Sequence, residues 1–268
     1  QMGEVHLKNK NVKFIGDPQK RIEEDYLRII RFIRFKIMYG DKIEPATSDA
    51  IKLNLNGIKQ LSKERILIEL IKILELKNFI NLNNNFNLKE IFFLIFPEFM
   101  HLDRLDRLNK ICDYSQINKD LLLAVLLTDE KNNHEYFVHK YNASNRIKDN
   151  LDLFAKNLTT LKENKNFLDG DLEKNIYLNG KNHLIDLNII NFTINNKFKL
   201  KDFLKILRKI LQSKAYKFPV DGKFLIQNGM KEGAAVGKVL KLIEKEWINN
   251  NFTISKNRIL ELIKLNLN

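Results

Sequence analysis

Hydrophobic and polar positions alternate with a helical period along nearly the whole chain. After the turn signal Gly16-Asp17-Pro18, the apolar residues Ile22, Tyr26, Ile29, Ile30, Ile33 and Ile37 return every three or four positions. That spacing predicts one helix ending at Gly40. "PATSDAIKLNLNGI" predicts a second, shorter helix stopped by Gly57. Ser62 stands where a cap is needed for a third, "KERILIELIKILELKNF", with Glu64 favourable at its positive end. The Asn-rich "INLNNNFN" (80–87) is read as a break. Beyond it, "LKEIFFLIF", "LDRLDRLNKI", "KDLLLAVLL", "NRIKDNLDLFAKNL", "HLIDLNIINF" and "KDFLKILRKILQ" predict further helices joined by polar loops. Only "NVKFIG" (11–16) alternates as a strand does, and nothing else in the chain offers it a sheet. The expectation is an all-α fold, with one short strand left over from a missing N-terminal part. A start at Gln1, directly before Met2, fits the same expectation.

Composition supports long helices: 268 residues carry only 10 Gly and 4 Pro, with 44% hydrophobic and 29% charged residues. The formal net charge is +13, from 46 basic and 33 acidic residues. Such a surplus favours polyanionic partners, nucleic acid first and anionic membrane second. A bias toward Lys, Asn and Ile also follows from an AT-rich genome, so the lysine count adds little by itself. One cysteine, Cys112, excludes an internal disulfide and a thiolate zinc cluster, and suits a reducing cytoplasm. No apolar run approaches the roughly 20 residues that span a bilayer. "IFFLIF" (91–96) and "LLLAVLL" (121–127) read as buried core, and no secretory signal is present. The histidines are scattered, with His134 and His139 five apart, a poor spacing for shared ligation on a helix.

Chemistry concentrates at two places. At helical spacing Asp25 and Arg28 point the same way, with Arg21 one turn earlier. The ordinary reading is a surface ion pair worth about 0–1 kcal/mol. The functional reading is base recognition. Asp accepts from an exocyclic amino group, and Arg donates to a ring nitrogen or carbonyl. Cytosine and adenine both pair an amino donor with an unprotonated ring nitrogen, whereas uracil and guanine present a carbonyl beside an N–H. A fixed Asp/Arg pair would then accept C and A and leave unpaired polar groups with U and G. The second place is "FPVDGKFLIQNGMKEGAAVGKVLKLIEKEWI" (218–248), the densest glycine cluster, expected to join two short helices. Gly229 suits a helix C′ position. Gly233 precedes a helix whose free N–H groups tolerate a phosphate, and Lys231 and Lys238 add charge. A tight turn between packed helices explains the glycines equally well. Trp247, Leu240 and Ile243 are expected core, and "HLDRLDRLNK" a solvated helix face.

"VKFIGDPQKRIEEDYLRIIRFIRF" resembles the start of the neck of class II tRNA nucleotidyltransferases and the related bacterial poly(A) polymerases. Glu24, Asp25 and Arg28 fall on that family's Glu-Asp-x-x-Arg motif. The resemblance implies that Asp25 and Arg28 recognise the base of ATP or CTP, with Arg21 and Glu24 supporting them. Glu64 and Arg65 fall on a Glu-Arg motif that holds the neck helices. Residues 218–248 resemble the family's tail, which implies RNA contact through Lys231, Gly233 and Lys238. The family's catalytic head, with its Gly-Gly turn followed by Arg-Asp and metal-holding carboxylates, has no counterpart here, so no catalytic residue and no metal ligand is assigned. Mg²⁺ would come only with a head supplied from elsewhere, whether a missing part of the same gene or a separate polypeptide. "LLLAVLLTDE" stands where some relatives carry a His-Asp metal doublet. Here the pair is Thr128-Asp129, so no such metal site is expected.

The resemblance implies the following organisation: a remnant of the head over 1–17, neck helices over 18–80, a helical body over 81–214, and a tail over 215–268. The implied substrates are an RNA 3′ end, tRNA foremost, with ATP, and CTP if the product is CCA. The neck does not separate CCA addition from poly(A) tailing. Two other readings remain open. One is a non-catalytic RNA-binding protein left by a split gene. The other is a helical module for an anionic membrane or a protein partner; the leading reading involves no membrane.

Overall fold

The structure, a computed structural model, describes residues 12–40, 43–113, 117–164 and 166–267. Its described residues form helices joined by turns, with no strand, so the all-α expectation holds. The chain divides into two compact units, Gln1–Lys165 with Ile185–Leu207, and Asn166–Leu184 with Arg208–Asn268. Among the described residues, no helix is long and apolar enough to cross a membrane.

The first unit opens with α1 (Pro18–Glu24) and α2 (Leu27–Tyr39). Asp17 caps α1 by accepting the Gln19 N–H at 2.9 Å, and Pro18 supplies the preset first turn. Helix α3 (Pro45–Asn54) passes into a 3-10 turn, Leu55–Gln60. Helix α4 (Lys63–Leu74) starts where expected, with Ser62 Oγ accepting the Arg65 N–H at 3.3 Å. A second 3-10 segment, Lys77–Asn84, leads to α5 (Phe86–Ile95). Then come α6 (Arg104–Leu108), α7 (Lys119–Leu127), α8 (Asn133–Tyr141) and α9 (Asn145–Glu163). Every residue from Leu121 to Leu127 is buried, so α7 is the central core helix, as its unbroken apolar run predicted. Beside it, Phe92, Phe96, Phe99, Phe137 and Tyr141 form a chain of tilted and edge-to-face rings, the preferred arrangement of aromatic quadrupoles.

Four expectations need correction. Val12–Gly16 form no strand; Phe14 instead stacks on Phe32 with ring centroids 5.0 Å apart, and Asn11 lies outside the described residues. The single helix expected through Gly40 is broken at Asp25, whose backbone is extended (φ −159°, ψ 106°). Gly57 does not stop α3; the helix ends at Asn54, and Gly57 lies inside the following 3-10 turn. "HLDRLDRLNK" is not simply a solvated face. Arg104 is buried, and its Nη1 donates to the carbonyls of Val125 and Thr128 at 2.7 and 2.8 Å, capping the negative end of α7. The Asn-rich stretch is also packed: Phe79, Ile80 and Leu82 are buried while the asparagines between them meet solvent or hydrogen bonds.

Two further helices are α11 (Lys181–Ile194) and α12 (Leu200–Gln212). In the first unit, Asn188 Nδ2 of α11 donates to the Phe203 carbonyl at 3.1 Å. The second unit contains α10 (Leu172–Asn179), α13 (Gly222–Gln227), α14 (Ala234–Asn249) and α15 (Lys256–Lys264). Its core comprises Leu225, Val236, Val239, Ile243 and Ile263, with Leu240 packed at the margin. Trp247 is buried as expected, ringed by Tyr177, Tyr216, Phe218 and Phe252. The second helix of the glycine region, α14, is not short; it runs 16 residues because its apolar positions keep helical spacing well past Trp247's own turn.

Candidate functional site

The break between α1 and α2 places the first candidate site. Asp25 leaves the helix and then restarts it: its Oδ1 accepts the Leu27 N–H at 3.1 Å, and its carbonyl accepts the Arg28 N–H at 3.0 Å. A short acceptor side chain at a helix start satisfies N–H groups that have no partner within the helix. Tyr26 fixes the break from the other side. Its ring lies directly over Gly57, where an added Cβ would stand only 2.2 Å from the ring carbons. Only glycine allows that approach, so the 3-10 turn and the kink are one packed unit.

Around this break charges pair in two sets. Arg65 Nη2 donates to both carboxylate oxygens of Asp25, at 3.4 and 3.3 Å. Arg28 Nη1 donates to the Arg21 carbonyl at 2.8 Å and to Glu24. Arg21 Nη1 donates to both Glu24 oxygens at 3.1 Å, and its Nε holds the Ile15 carbonyl at 3.0 Å. Hydrogen bonds from Arg28 and then Arg21 hold the Glu24 carboxyl below the usual glutamate value. The expectation that Asp25 and Arg28 share one helical face is therefore corrected. Asp25 pairs with Arg65 from α4, and Arg28 with Glu24, because the extended Asp25 backbone turns its side chain away from the helical direction. The two remain adjacent across the kink, each about a third exposed: Asp25 30% and Arg28 36%. Glu64 stands exposed in the first turn of α4, where its charge suits the helix dipole.

Sequence reasoning missed a third feature, Glu69 of α4. Its carboxylate is buried and meets Arg31 Nε at 3.4 Å, Arg34 Nε at 3.0 Å and Lys72 Nζ at 3.1 Å. Burial pushes this carboxyl up; the Lys72 hydrogen bond and the charges of Arg34, Lys72 and Arg31 outweigh burial, so it titrates below the ordinary glutamate value. The signal was readable: Glu69 falls on the same helical stripe as Ile66, Leu70 and Ile73, so a charge there needs partners. The arginines supply them, and Glu69 thereby locks the arginine-bearing face of α2 against α4.

The second candidate site lies in the tail unit. Asp221 caps α13 by accepting the Phe224 N–H at 2.9 Å, and Gly229 follows that helix with φ +103°, the C′ role its position predicted. Gly233 precedes α14 with φ +145°, a conformation side chains rarely adopt. The first turn of α14 is bare: Gly233, Ala234, Ala235 and Gly237 are exposed, and no atom lies within 4 Å of a Cβ built on Gly237. Lys231 and Lys238 flank it, both exposed. Small residues around free N–H groups, with two cations nearby, leave room for a phosphate backbone.

Among the described residues no group of three or more His, Cys, Asp or Glu could hold a metal ion. The residues present therefore do not fit the Mg²⁺ that phosphoryl transfer uses, and no step is assigned to it here.

Residues 42–100 match the family described as "Probable RNA and SrmB- binding site of polymerase A". The chain is similar to the human mitochondrial CCA tRNA nucleotidyltransferase 1, 28% identical over 98% of this chain and 60% of that protein. It is also similar to the CCA-adding enzyme of Staphylococcus haemolyticus, 27% identical over 99% of this chain and 66% of that protein. Its fold is that of the Bacillus stearothermophilus CCA-adding enzyme solved with CTP, at a TM-score of 0.63 and 19% identity, covering 95% of this chain and 65% of that one. The chain thus spans under two thirds of the length of these relatives. Taken with the neck and tail built from its own residues, these likenesses make the chain a member of the CCA-adding tRNA nucleotidyltransferase family.

Proposed function

We propose that this chain carries the nucleotide-selecting and RNA-binding functions of an enzyme that adds C and A to an RNA 3′ end, tRNA foremost. The observation that carries the proposal is the kink at Asp25. It sets a carboxylate acceptor and a guanidinium donor side by side at a helix break, each anchored from behind, Asp25 by Arg65 and Arg28 by Glu24. Arg28 spends Nη1 on its anchors, so Nε and Nη2 remain to meet a ring nitrogen or carbonyl. Asp25 keeps lone pairs for an exocyclic amino group. Fixed donors and acceptors discriminate by leaving the wrong base unpaired, an effect that reaches several kcal/mol in sites of this kind. The basic tail, with Lys231 and Lys238 beside the bare start of α14, holds the RNA backbone. The names of the relatives, which include CCA-adding enzymes, support this reading.

Bond formation needs the metal-holding carboxylates of a catalytic head, with ATP or CTP as the nucleotide. Pure chain incubated with tRNA, labelled ATP and CTP, and Mg²⁺ is expected to bind tRNA and incorporate nothing. Joined to a catalytic head it is expected to incorporate C and A. Incorporation by the chain alone would overturn the division of labour. A chain that binds tRNA yet gains no activity from any head would favour a non-catalytic RNA-binding protein.

A further inference from the structure

We propose that a cavity in the helical body, built by residues 100–195 and sharing none with α1–α4, binds a nucleoside monophosphate. The cavity measures ≈ 600 Å³, within the range of small-ligand sites. Its floor is cationic. Arg104 is only 7% exposed, and its hydrogen bonds go to the Val125 and Thr128 carbonyls rather than to a carboxylate. A buried guanidinium with neutral partners keeps its charge available to an anion entering beside it. His101 lies on the same floor, its Nε2 3.1 Å from Asp129 Oδ2. Asp129 also accepts the N–H groups of Lys131 at 2.9 Å and Asn133 at 3.2 Å. That carboxylate is occupied, so it orients the imidazole and does not bar an anion.

The opposite wall differs in chemistry. Ala155, Leu158 and Ile194 present an apolar surface from α9 and α11. Asn191 adds an amide that can donate and accept at once, which is what the edge of a heterocycle requires. The site thus offers a fixed cation at one end and an apolar wall with an amide at the other. One fixed buried cation suits a single phosphate, and a flat wall with an amide suits a base. The pairing of His101 with Asp129 spans 28 positions, beyond the reach of any local motif.

The test is equilibrium dialysis of labelled AMP and CMP against the full chain, with adenosine and inorganic phosphate as separate arms. AMP or CMP is expected to saturate a single site, with adenosine and phosphate each at least about tenfold weaker. Ala155→Trp, which fills the cavity, is expected to lower affinity at least about tenfold, while Asp25→Ala leaves it within about twofold. Circular dichroism checks that each variant folds. If Ala155→Trp does not, Thr159→Trp on the exposed edge of the same wall gives the same reading. Absence of saturable binding up to millimolar AMP and CMP overturns the proposal. So does unchanged affinity in the filled variant, and so does loss of binding in Asp25→Ala, which would place the nucleotide at the neck.

Discussion

The carboxylate of Asp25 and the guanidinium of Arg65 lie 3.3 Å apart, although 40 positions separate them in the chain. The contact joins the kink between α1 and α2 to the first turn of α4. Half-exposed pairs of this kind add only about 0–1 kcal/mol to stability, so its importance is orientational. Arg65→Ala is therefore expected to leave the unfolding free energy within about 1 kcal/mol of the parent. In the head-bearing enzyme it should erode C and A preference over U and G by about tenfold, with Arg65→Lys intermediate because a single ammonium cannot reproduce the fork. Urea unfolding and four-nucleotide incorporation measure the two effects separately.

Tyr26 and Gly57 form the packing half of the same kink. Since a Cβ on Gly57 would lie 2.2 Å from the ring, Gly57→Ala forces the ring or the 3-10 turn to move. A loss of about 1–3 kcal/mol is expected on urea unfolding. Tyr26→Ala removes the obstacle, so the double variant should be less destabilised than the sum of the single ones. Additive losses would show that the clash is not the cause.

The helices themselves were largely legible because their determinants are local. Ser62 as a cap, Gly229 as a C′ residue and the unbroken apolar run of α7 stand in the structure as read. The break at Asp25 was not legible, because Ile22, Tyr26, Ile29 and Ile30 keep helical spacing straight across it. What breaks the helix is non-local: Tyr26 seated on Gly57, and Asp25 drawn to Arg65. The candidate residues Asp25 and Arg28 were found by motif, but their partners were not, since each pairing depends on that break. Glu69 could have been found as a charge on an apolar stripe; Arg31, Arg34 and Lys72 as its partners could be identified only in three dimensions.

Glu69 gives the neck a pH dependence of known sign. Its carboxyl titrates below the ordinary glutamate value of 4.5 despite burial. A group depressed in the folded state stabilises it fully above its unfolded value, and that stabilisation is lost as pH falls through the folded value. Glu69→Gln should lower the unfolding free energy by about 2–3 kcal/mol at pH 7, with the difference from the parent shrinking as pH falls below the glutamate range. A difference independent of pH would show that the charge on Glu69 is not what holds Arg31 and Arg34.

In the tail, Lys231 and Lys238 are expected to contact RNA phosphates. Lys231→Ala and Lys238→Ala should each weaken tRNA binding uniformly across sequences and reduce the slope of log affinity against log salt by about 1. Filter binding between low and physiological salt measures the slope. An unchanged slope in both would move the RNA surface away from α14.

The central claim is that Asp25 and Arg28 choose the nucleotide. The most direct measurement is incorporation from each of the four nucleoside triphosphates into tRNA by this chain joined to a catalytic head, compared with Asp25→Ala and Arg28→Ala. The account predicts that C and A exceed U and G by at least about a hundredfold in the parent, and that either variant cuts this ratio by about tenfold or more without unfolding the protein. Selectivity that survives both substitutions intact would contradict it.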